Sequence, residues 1–346
     1  MKTNKSFIYV LLIFFVISIN SIYSFSSFLT YDTYSFIIRQ ACFYLVGIIF
    51  IFICIKIGPN RILKYSLFIY LFNVLILVLV LFIGKEVNGT KAWFNVPFIG
   101  TFQPSEFMKI GIILLLAKII SEQKINCFKD ELVLVIKAFI ILLIPSFITF
   151  VMLFTSKIRI RWFLILFGIV CVLGFGLFYI YIFNTDLFIK IFGNSMFYRF
   201  DRIFDWSKSS GMQLENSVIS IGSSGLFGHG ISNILLYFPE GHTDFIFASF
   251  ASIYGLTGMM ILVCSIVWFD ILLIRTKTKN LEYKYIISGM CAALFYQQIQ
   301  NISMTIGLMP ITGITLPFIS YGGSSLISYM ILLGIVLSIR KEEGNN

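Results

Sequence analysis

Long runs of apolar residues recur along the chain and limit what it can fold into. Eight runs are clear, at 7–28, 35–57, 66–84, 106–121, 162–184, 244–274, 285–308 and 324–339. Most approach the ~20 residues that an α-helix needs to cross a bilayer. Only 12% of the 346 residues are charged, whereas a soluble domain carries about 25%. The sequence therefore predicts an all-α, polytopic membrane protein that forms a single domain over 1–346.

Clusters of basic residues between these runs predict which side of the membrane each loop occupies. They are Lys2 and Lys5; Lys56, Arg61 and Lys64; Lys118, Lys124 and Lys129; Lys157, Arg159 and Arg161; Arg275, Lys277, Lys279 and Lys284; and Arg340 and Lys341. Because cytoplasmic loops are enriched in Lys and Arg, we place every cluster inside. Both termini are then cytoplasmic, and the largest extracellular loop is 185–243, which precedes Asp244.

The charge and the cysteines exclude two classes of protein. The net charge of +10 is distributed over the loop clusters and is not pooled in one patch, which argues against a nucleic-acid partner. The six cysteines show no paired spacing, so we expect neither a disulfide framework nor a cysteine metal site.

The segment 132–156 departs from the simple pattern of spans. It connects two basic clusters that are both placed inside, yet its 25 residues are too few to cross the membrane twice. Pro145, near its middle, breaks a helix. We predict two short helices that meet at Pro145, which gives about ten transmembrane helices in all. The alternative is one span, with 157–161 outside.

Asp244 is the first candidate for catalysis. It lies where the long polar loop meets the next apolar run, next to His242 and Thr243. Partial desolvation at such a position raises the pKa of a carboxyl group and makes it a better base near neutral pH. The alternative is that Thr243 or Asp244 caps the following helix.

A second polar cluster is predicted at the same outer depth. It contains Lys91 and Trp93, followed by Gln103, Glu106 and Lys109 at the start of the next span. Trp93 alone would be read as an interfacial anchor. Lys109 lies one turn beyond Glu106, so the two can pair, which makes both tolerable in the membrane.

The segment 307–325 is too apolar for a free loop and too broken for a span. It contains two prolines and four glycines, which exclude one regular helix. A re-entrant turn that lines an outer cavity fits both facts. Gly322, Gly323 and Ser324 then begin the last helix, whose amides could bind a diphosphate. Glycines that ease a tight helix start are the alternative.

Three segments together resemble one known family. Residues 103–109 match its motif QPSEFMK, residues 221–230 with 239–247 resemble IGSGGLFGKG and LPEAHTDFIF, and residues 308–325 resemble LLPVTGIPLPFISYGGSS. These motifs follow one another in order along the chain. The sequence is therefore identified as a member of the SEDS family (shape, elongation, division and sporulation; FtsW/RodA/SpoVE).

This resemblance implies a ten-span fold and an activity. The family's members are peptidoglycan glycosyltransferases that polymerise lipid II, the undecaprenyl-diphosphate-linked disaccharide peptide, at the outer face of the bacterial cytoplasmic membrane. The implied process is cell-wall synthesis in elongation, division or sporulation. Besides membrane lipid and lipid II, the implied partner is a class B penicillin-binding protein. By position, Asp244 matches the family's essential aspartate, and Trp93 matches its important tryptophan.

Around Asp244 as the catalytic base we predict a set of substrate-binding residues. They are Lys91, Trp93, Gln103, Glu106, Lys109, Gln213, His242, Thr243, Ser320, Gly322, Gly323 and Ser324. Diphosphate is a good leaving group, so one carboxylate can suffice for an inverting transfer. A divalent cation such as Mg²⁺ could support the diphosphate, and no metal ligand is assigned.

The chain also departs from the family pattern. Ser146 stands where the family motif PDLGT has its aspartate, and Ser252 and Ile253 replace two glutamates. These changes remove polar groups from the expected central cavity. Two alternatives to an inverting glycosyltransferase therefore stay open: a catalytically degenerate membrane scaffold for a penicillin-binding protein, and a lipid-linked precursor transporter (flippase).

Overall fold

The structure is a computed structural model. It describes the whole chain except residues 1, 26–32, 88–89, 97–99, 124–129, 132, 135–136, 138–151, 153–159, 208–210, 232, 234–235 and 345–346. Most of the predicted helix pair around Pro145 lies outside the described residues.

The described residues are almost entirely helical. The helices are α1 Lys2–Phe25, α2 Thr33–Ile57, α3 Pro59–Lys64, α4 Ser66–Ile83, α5 Pro104–Glu122, α6 Ile160–Phe183, α7 Thr185–Ser207, α8 Met212–Ser223, α9 Ile246–Ile274, α10 Leu281–Thr305 and α11 Gly323–Gly344. Three short strands follow α4: β1 Lys85–Val87, β2 Thr90–Val96 and β3 Gly100–Phe102.

Each of the eight predicted apolar runs overlaps one of these helices over most of its length, and the predicted all-α membrane fold is confirmed. Five described helices are long and apolar enough to span a membrane, and a sixth span results if the bent pair Cys171–Phe183 and Thr185–Asn194 counts as one. The total of about ten spans stays a prediction. The predicted outer loop 185–243 contains α7 and α8.

The last helix, α11, packs mainly against α2 and α5. Two glycines bring α2 and α11 close together. A Cβ added at Gly47 would lie 2.6 Å from Cγ of Met330, and one added at Gly334 would lie 2.9 Å from Cα of Ile51. Small residues permit such close helix contacts in membranes, where no hydrophobic driving force exists between helices.

Helix α9 is broken at Gly255, whose φ of 61° and ψ of −156° are not helical. The backbone groups freed by this break bond with the segment 225–230. His229 and Gly230 donate to the carbonyls of Ser252 and Ile253 (2.9 and 3.0 Å), while Leu256 and Thr257 donate to Gly225 and Leu226 (2.9 and 3.0 Å). The break is therefore satisfied internally, as a backbone at membrane depth requires.

The strands form a small antiparallel sheet in the order β1-β2-β3. This sheet was not part of the sequence prediction. Between α10 and α11, residues 306–322 contain neither helix nor strand, as the prolines and glycines there predicted. We call residues 306–322 the broken segment.

Candidate active site

The turn that carries Asp244 is bonded to the broken segment through its main chain. The amide of Tyr321 donates to the carbonyl of His242 (3.0 Å), and Oγ of Ser320 donates to the carbonyl of Thr243 (2.6 Å). The same Oγ accepts from the amide of Leu316 (2.8 Å). Ser320 therefore joins two parts of the broken segment to the turn before α9.

The next carbonyl, that of Asp244, is held from α10. Nδ2 of Asn301 donates to it at 2.7 Å and also to the carbonyl of Ile314 at 2.7 Å. Its neighbour Gln300 donates to the carbonyl of Pro310 (3.2 Å). Three successive carbonyls, 242 to 244, thus have donors from two other parts of the chain.

The carboxylate of Asp244 faces the broken segment at Gly313. A Cβ added at Gly313 would lie 3.2 Å from Oδ2 of Asp244, and Gly313 has a φ of 71°. Only glycine combines this backbone conformation with so close an approach at little cost. Asp244 is half-buried, so its carboxylate is partly shielded from solvent while it remains accessible to a ligand.

The turn before α9 offers two roles to its polar residues. The N-cap position of α9 is occupied by Phe245, and Thr243 donates its hydroxyl to Oε2 of Glu240 (2.7 Å). A capping role stays the alternative prediction for Asp244.

His242 lies among aromatic rings next to Asp244. Its ring is stacked 6.0 Å from Phe25, meets Phe36 edge-on at 5.5 Å and lies 5.7 Å from Tyr321. Nδ1 is buried with no hydrogen-bond partner in the described part of the chain. Burial lowers the pKa of His242 from 6.5, an effect that the charge of Glu240 opposes. Burial of the ring thus favours its neutral form.

Gln213, also a predicted binding residue, supports the same turn. It lies in the first turn of α8, and its Nε2 donates to the carbonyl of Pro239 (2.8 Å). In the next turn, Oγ of Ser217 donates to the carbonyl of Thr305 at the end of α10 (2.8 Å). Helix α8 thus connects the Asp244 turn with α10.

The second predicted cluster meets the N-terminal half of α11. The amide of Gln103 donates to Oγ of Ser324 (3.0 Å). Lys109 and Glu106 form an ion pair at 2.7 Å, with only 16% and 12% of their side chains exposed. Nζ of Lys109 also lies 4.9 Å from the ring centre of Tyr329. The predicted pairing of Glu106 with Lys109 is therefore confirmed.

Trp93 and Lys91 belong to β2. Trp93 is half-buried and lies opposite Lys85 of β1, while the side chain of Lys91 is outside the described residues. Strands β2 and β3 pair through Phe94 and Phe102, and the sheet therefore ends directly before Gln103.

Gly322 and Gly323 serve the start of α11. The amide of Gly322 donates to Oε1 of Gln40 (3.4 Å). A Cβ at Gly323 would lie 2.7 Å from the ring of Phe43. Both contacts are with α2, so these glycines permit a close approach of α2 to the start of α11.

Two residues at the site have positive φ although they are not glycine: Glu240 at 59° and Phe318 at 64°. Such conformations cost roughly 1–3 kcal/mol each and persist only where the surroundings hold them. The hydroxyl of Tyr44 donates to the carbonyl of Phe318, and Glu240 accepts the amide of Phe245 (3.0 Å). One strained residue therefore lies in the Asp244 turn and the other in the broken segment that is bonded to it.

The described residues contain no group of three His, Cys, Asp or Glu side chains that could hold a metal ion. Mg²⁺ is usually held by one or two carboxylates together with substrate phosphates. In this part of the chain no dedicated metal site is formed.

Several site residues were missed by sequence reasoning. Gln40 donates to the carbonyl of Ser320 (3.2 Å), Asn301 holds Asp244, and Tyr329 donates to Gln297. Polar residues inside apolar runs are a functional signal in membrane proteins, and the sequence 296–301, YQQIQN, carried that signal.

The site residues thus form two connected groups. Gln213, His242, Thr243 and Ser320 surround the Asp244 turn, whereas Gln103, Glu106, Lys109 and Ser324 meet at α11. The broken segment joins the groups, because Oγ of Thr315 lies 3.1 Å from Oγ of Ser325, the residue after Ser324.

Comparison with known proteins gives a consistent result. The sequence profile of the family described as "Cell cycle protein" (FTSW_RODA_SPOVE) matches residues 4–345. The chain is 30% identical to the probable peptidoglycan glycosyltransferase FtsW of Haemophilus influenzae over 97% of this chain and 89% of that protein. It is 32% identical to the stage V sporulation protein E of Bacillus subtilis over 90% of this chain and 88% of that protein.

Two solved structures share the fold. One, described as showing structural coordination of polymerization and crosslinking by a peptidoglycan synthase complex, has a TM-score of 0.76 at 23% identity and covers 98% of both chains. The other is the rod shape determining protein RodA of Thermus thermophilus, with a TM-score of 0.68 at 24% identity over 97% of this chain and 96% of that chain.

Proposed function

Because this chain belongs to the FtsW/RodA/SpoVE family, we propose that it polymerises lipid II at the outer face of the cytoplasmic membrane, with Asp244 as the catalytic base. The chain is a multi-pass membrane protein and a peptidoglycan glycosyltransferase, the activity that names its relative in Haemophilus influenzae. The substrate, the base and the side of the membrane are the parts we propose.

The observation that carries the proposal is the placement of Asp244. Its carboxylate is half-buried and faces Gly313, and the carbonyls of residues 242 to 244 are all held. A base that is fixed in position is held in the geometry that the proton transfer requires.

The reaction needs one proton transfer and one displacement. Asp244 accepts the proton of the acceptor sugar's 4-hydroxyl group as its oxygen attacks the anomeric carbon of the donor. The bond from that carbon to the diphosphate oxygen breaks, and undecaprenyl diphosphate leaves with the electron pair. A single displacement inverts the anomeric centre. The leaving group is already anionic, so no acid partner is required.

The second group of residues is suited to bind the substrate. Glu106 and Lys109 form a shielded ion pair, and Lys109 adds a positive charge to a polar wall that includes Gln103 and Ser324. We assign these residues, with Trp93, to recognition of the sugar and diphosphate groups. A class B penicillin-binding protein, which cross-links the glycan strands, is the proposed partner.

The test is polymerisation of purified lipid II by the solubilised protein, alone and with its penicillin-binding partner. We expect glycan strands from the wild type and a loss of at least ~10²-fold with Asp244→Asn, since removal of a general base typically costs 10²–10⁴-fold. The substitution keeps the shape of the side chain and removes its basic oxygen.

The matched control is Asp270→Asn. Asp270 is also buried and lies in α9, near its other end, where Gln298 donates to its Oδ1 (3.2 Å). We expect Asp270→Asn to retain activity. Full activity of Asp244→Asn would exclude Asp244 as the base, and no glycan from the wild type under either condition would contradict lipid II polymerisation.

A further inference from the structure

Asn301 occupies an unusual position in α10. It is 0% exposed, and its one amide nitrogen donates at 2.7 Å both to the carbonyl of Asp244 and to that of Ile314. These two carbonyls belong to the turn before α9 and to the broken segment. A single side chain therefore bridges the two backbone segments that face each other at the candidate active site.

The orientation of this amide follows from its partners. Both acceptors are main-chain carbonyls, which cannot donate, so the NH₂ group must face them. Oδ1 of Asn301 is then buried with no hydrogen-bond partner in the described residues. A buried carbonyl without a partner is destabilising, so this position gives up stability while it holds two carbonyls in place.

We infer that Asn301 is a positioning residue for the transfer reaction: it sets the separation between the main chain of Asp244 and the broken segment. This inference rests on the proposed role of Asp244. Gly313, which faces Oδ2 of Asp244, directly precedes Ile314 in the chain. The two bonds of Asn301 therefore hold both the residue that carries the carboxylate and the backbone beside it.

The alternative is that Asn301 only stabilises the fold. If Asn301 only stabilised the fold, its substitution would lower the melting temperature and the yield of folded protein but leave kcat per folded molecule unchanged. If Asn301 positions the reacting groups, its substitution lowers kcat, because a displacement of about 1 Å in a reacting group can lower the rate on the order of 10²-fold. The KM for lipid II would stay close to that of the wild type, since Asn301 is buried away from the substrate.

The experiment compares two amide-to-acid substitutions in neighbouring residues, measured in the full-length protein with its partner. Asn301→Asp keeps the size of the side chain but directs an oxygen at two carbonyl oxygens. Gln300→Glu makes the same chemical change where the amide holds only Pro310. We expect Asn301→Asp to lower kcat by about tenfold or more, with KM within about twofold, and Gln300→Glu to retain most of kcat.

A second variant covers the case in which Asn301→Asp does not fold. Asn301→Ser shortens the side chain and carries no charge, and we expect it to lower kcat per folded molecule while KM stays within about twofold of the wild type. Equal kcat for Asn301→Ser and wild type, or equal losses for Asn301→Asp and Gln300→Glu, would overturn the inference. Activity of Asp244→Asn, measured in parallel, would instead reject the proposed base, so the two failures can be told apart.

Discussion

At the scale of single residues, His242 makes the stability of the protein depend on pH. Its ring lies among Phe25, Phe36 and Tyr321, and burial lowers its pKa from 6.5. As the pH falls through 6.5, the unfolded chain takes up a proton that the folded chain binds only at lower pH. The free energy of unfolding therefore decreases as the solution becomes more acidic.

We expect the melting temperature of the wild type to decrease as the pH is lowered from 7.5 to 5.5. His242→Phe should reduce this change of melting temperature with pH. Phenylalanine keeps an aromatic ring in the same surroundings and cannot titrate. His229→Phe, at the other histidine of the chain, is measured alongside for comparison. Thermal unfolding in detergent, followed by circular dichroism, measures all three. An unchanged slope in His242→Phe would assign the effect to other groups.

The pairing of Glu106 with Lys109 could be predicted from the sequence, because helical spacing is a local property. Gln40 and Asn301 could not, since each acts through main-chain carbonyls that belong to distant parts of the chain. Polarity within a span marks such residues as candidates, but the partner is fixed only by the tertiary fold.

At the scale of elements, the break in α9 is the feature that a helix prediction could not provide. The apolar run 244–274 was predicted as one span, and the structure divides it at Gly255. Apolar periodicity continues through the break, so hydropathy gives no sign of it. The strands β1 to β3 were missed for a similar reason, because segments of three to seven residues are too short for a clear alternating pattern.

The contact between the α9 break and residues 225–230 leads to a prediction. A Cβ at Gly228 would overlap the carbonyl of Ile253, and one at Gly255 would overlap the amide of Gly228 in a backbone conformation that only glycine adopts readily. We expect Gly228→Ala and Gly255→Ala each to destabilise the protein by roughly 2–6 kcal/mol, as the sum of overpacking and backbone strain.

Gly222→Ala is the matched control for both variants. Gly222 lies within α8, and a Cβ there would have no atom within 4 Å, so alanine should be neutral or slightly stabilising. Melting temperature and the yield of monodisperse protein after detergent extraction provide the measurement. Wild-type stability of Gly255→Ala would show that the break is not required for folding.

At the scale of the whole molecule, the site is assembled by segments that are far apart in sequence. Helix α11 packs against α2 and α5, which brings Ser324 to Gln103, and the broken segment before α11 brings Ser320 to the Asp244 turn. The last span thus connects both groups of site residues. The motifs that resemble the FtsW/RodA/SpoVE family are far apart in the sequence, and their residues contact one another at the site.

The orientation of this assembly in the membrane is the remaining prediction at this scale. The basic clusters place both termini and residues 157–161 inside, and the Asp244 turn outside. In a variant without the six native cysteines, we introduce Glu240→Cys, Lys157→Cys or Lys341→Cys and add a membrane-impermeant maleimide to intact cells. Cys at 240 should react directly, because Glu240 is exposed and the turn faces outward.

The positions 157 and 341 should react only after the membrane is permeabilised. Lys341 is exposed near the end of α11, so failure to react in intact cells reports its side of the membrane and not burial. Labelling at 157 from outside would replace the predicted helix pair at Pro145 by a single span. Labelling at 341 from outside would mean that the last span runs in the opposite direction. The Asp244 turn would then lie on the cytoplasmic side, and lipid II would have to be polymerised there before export.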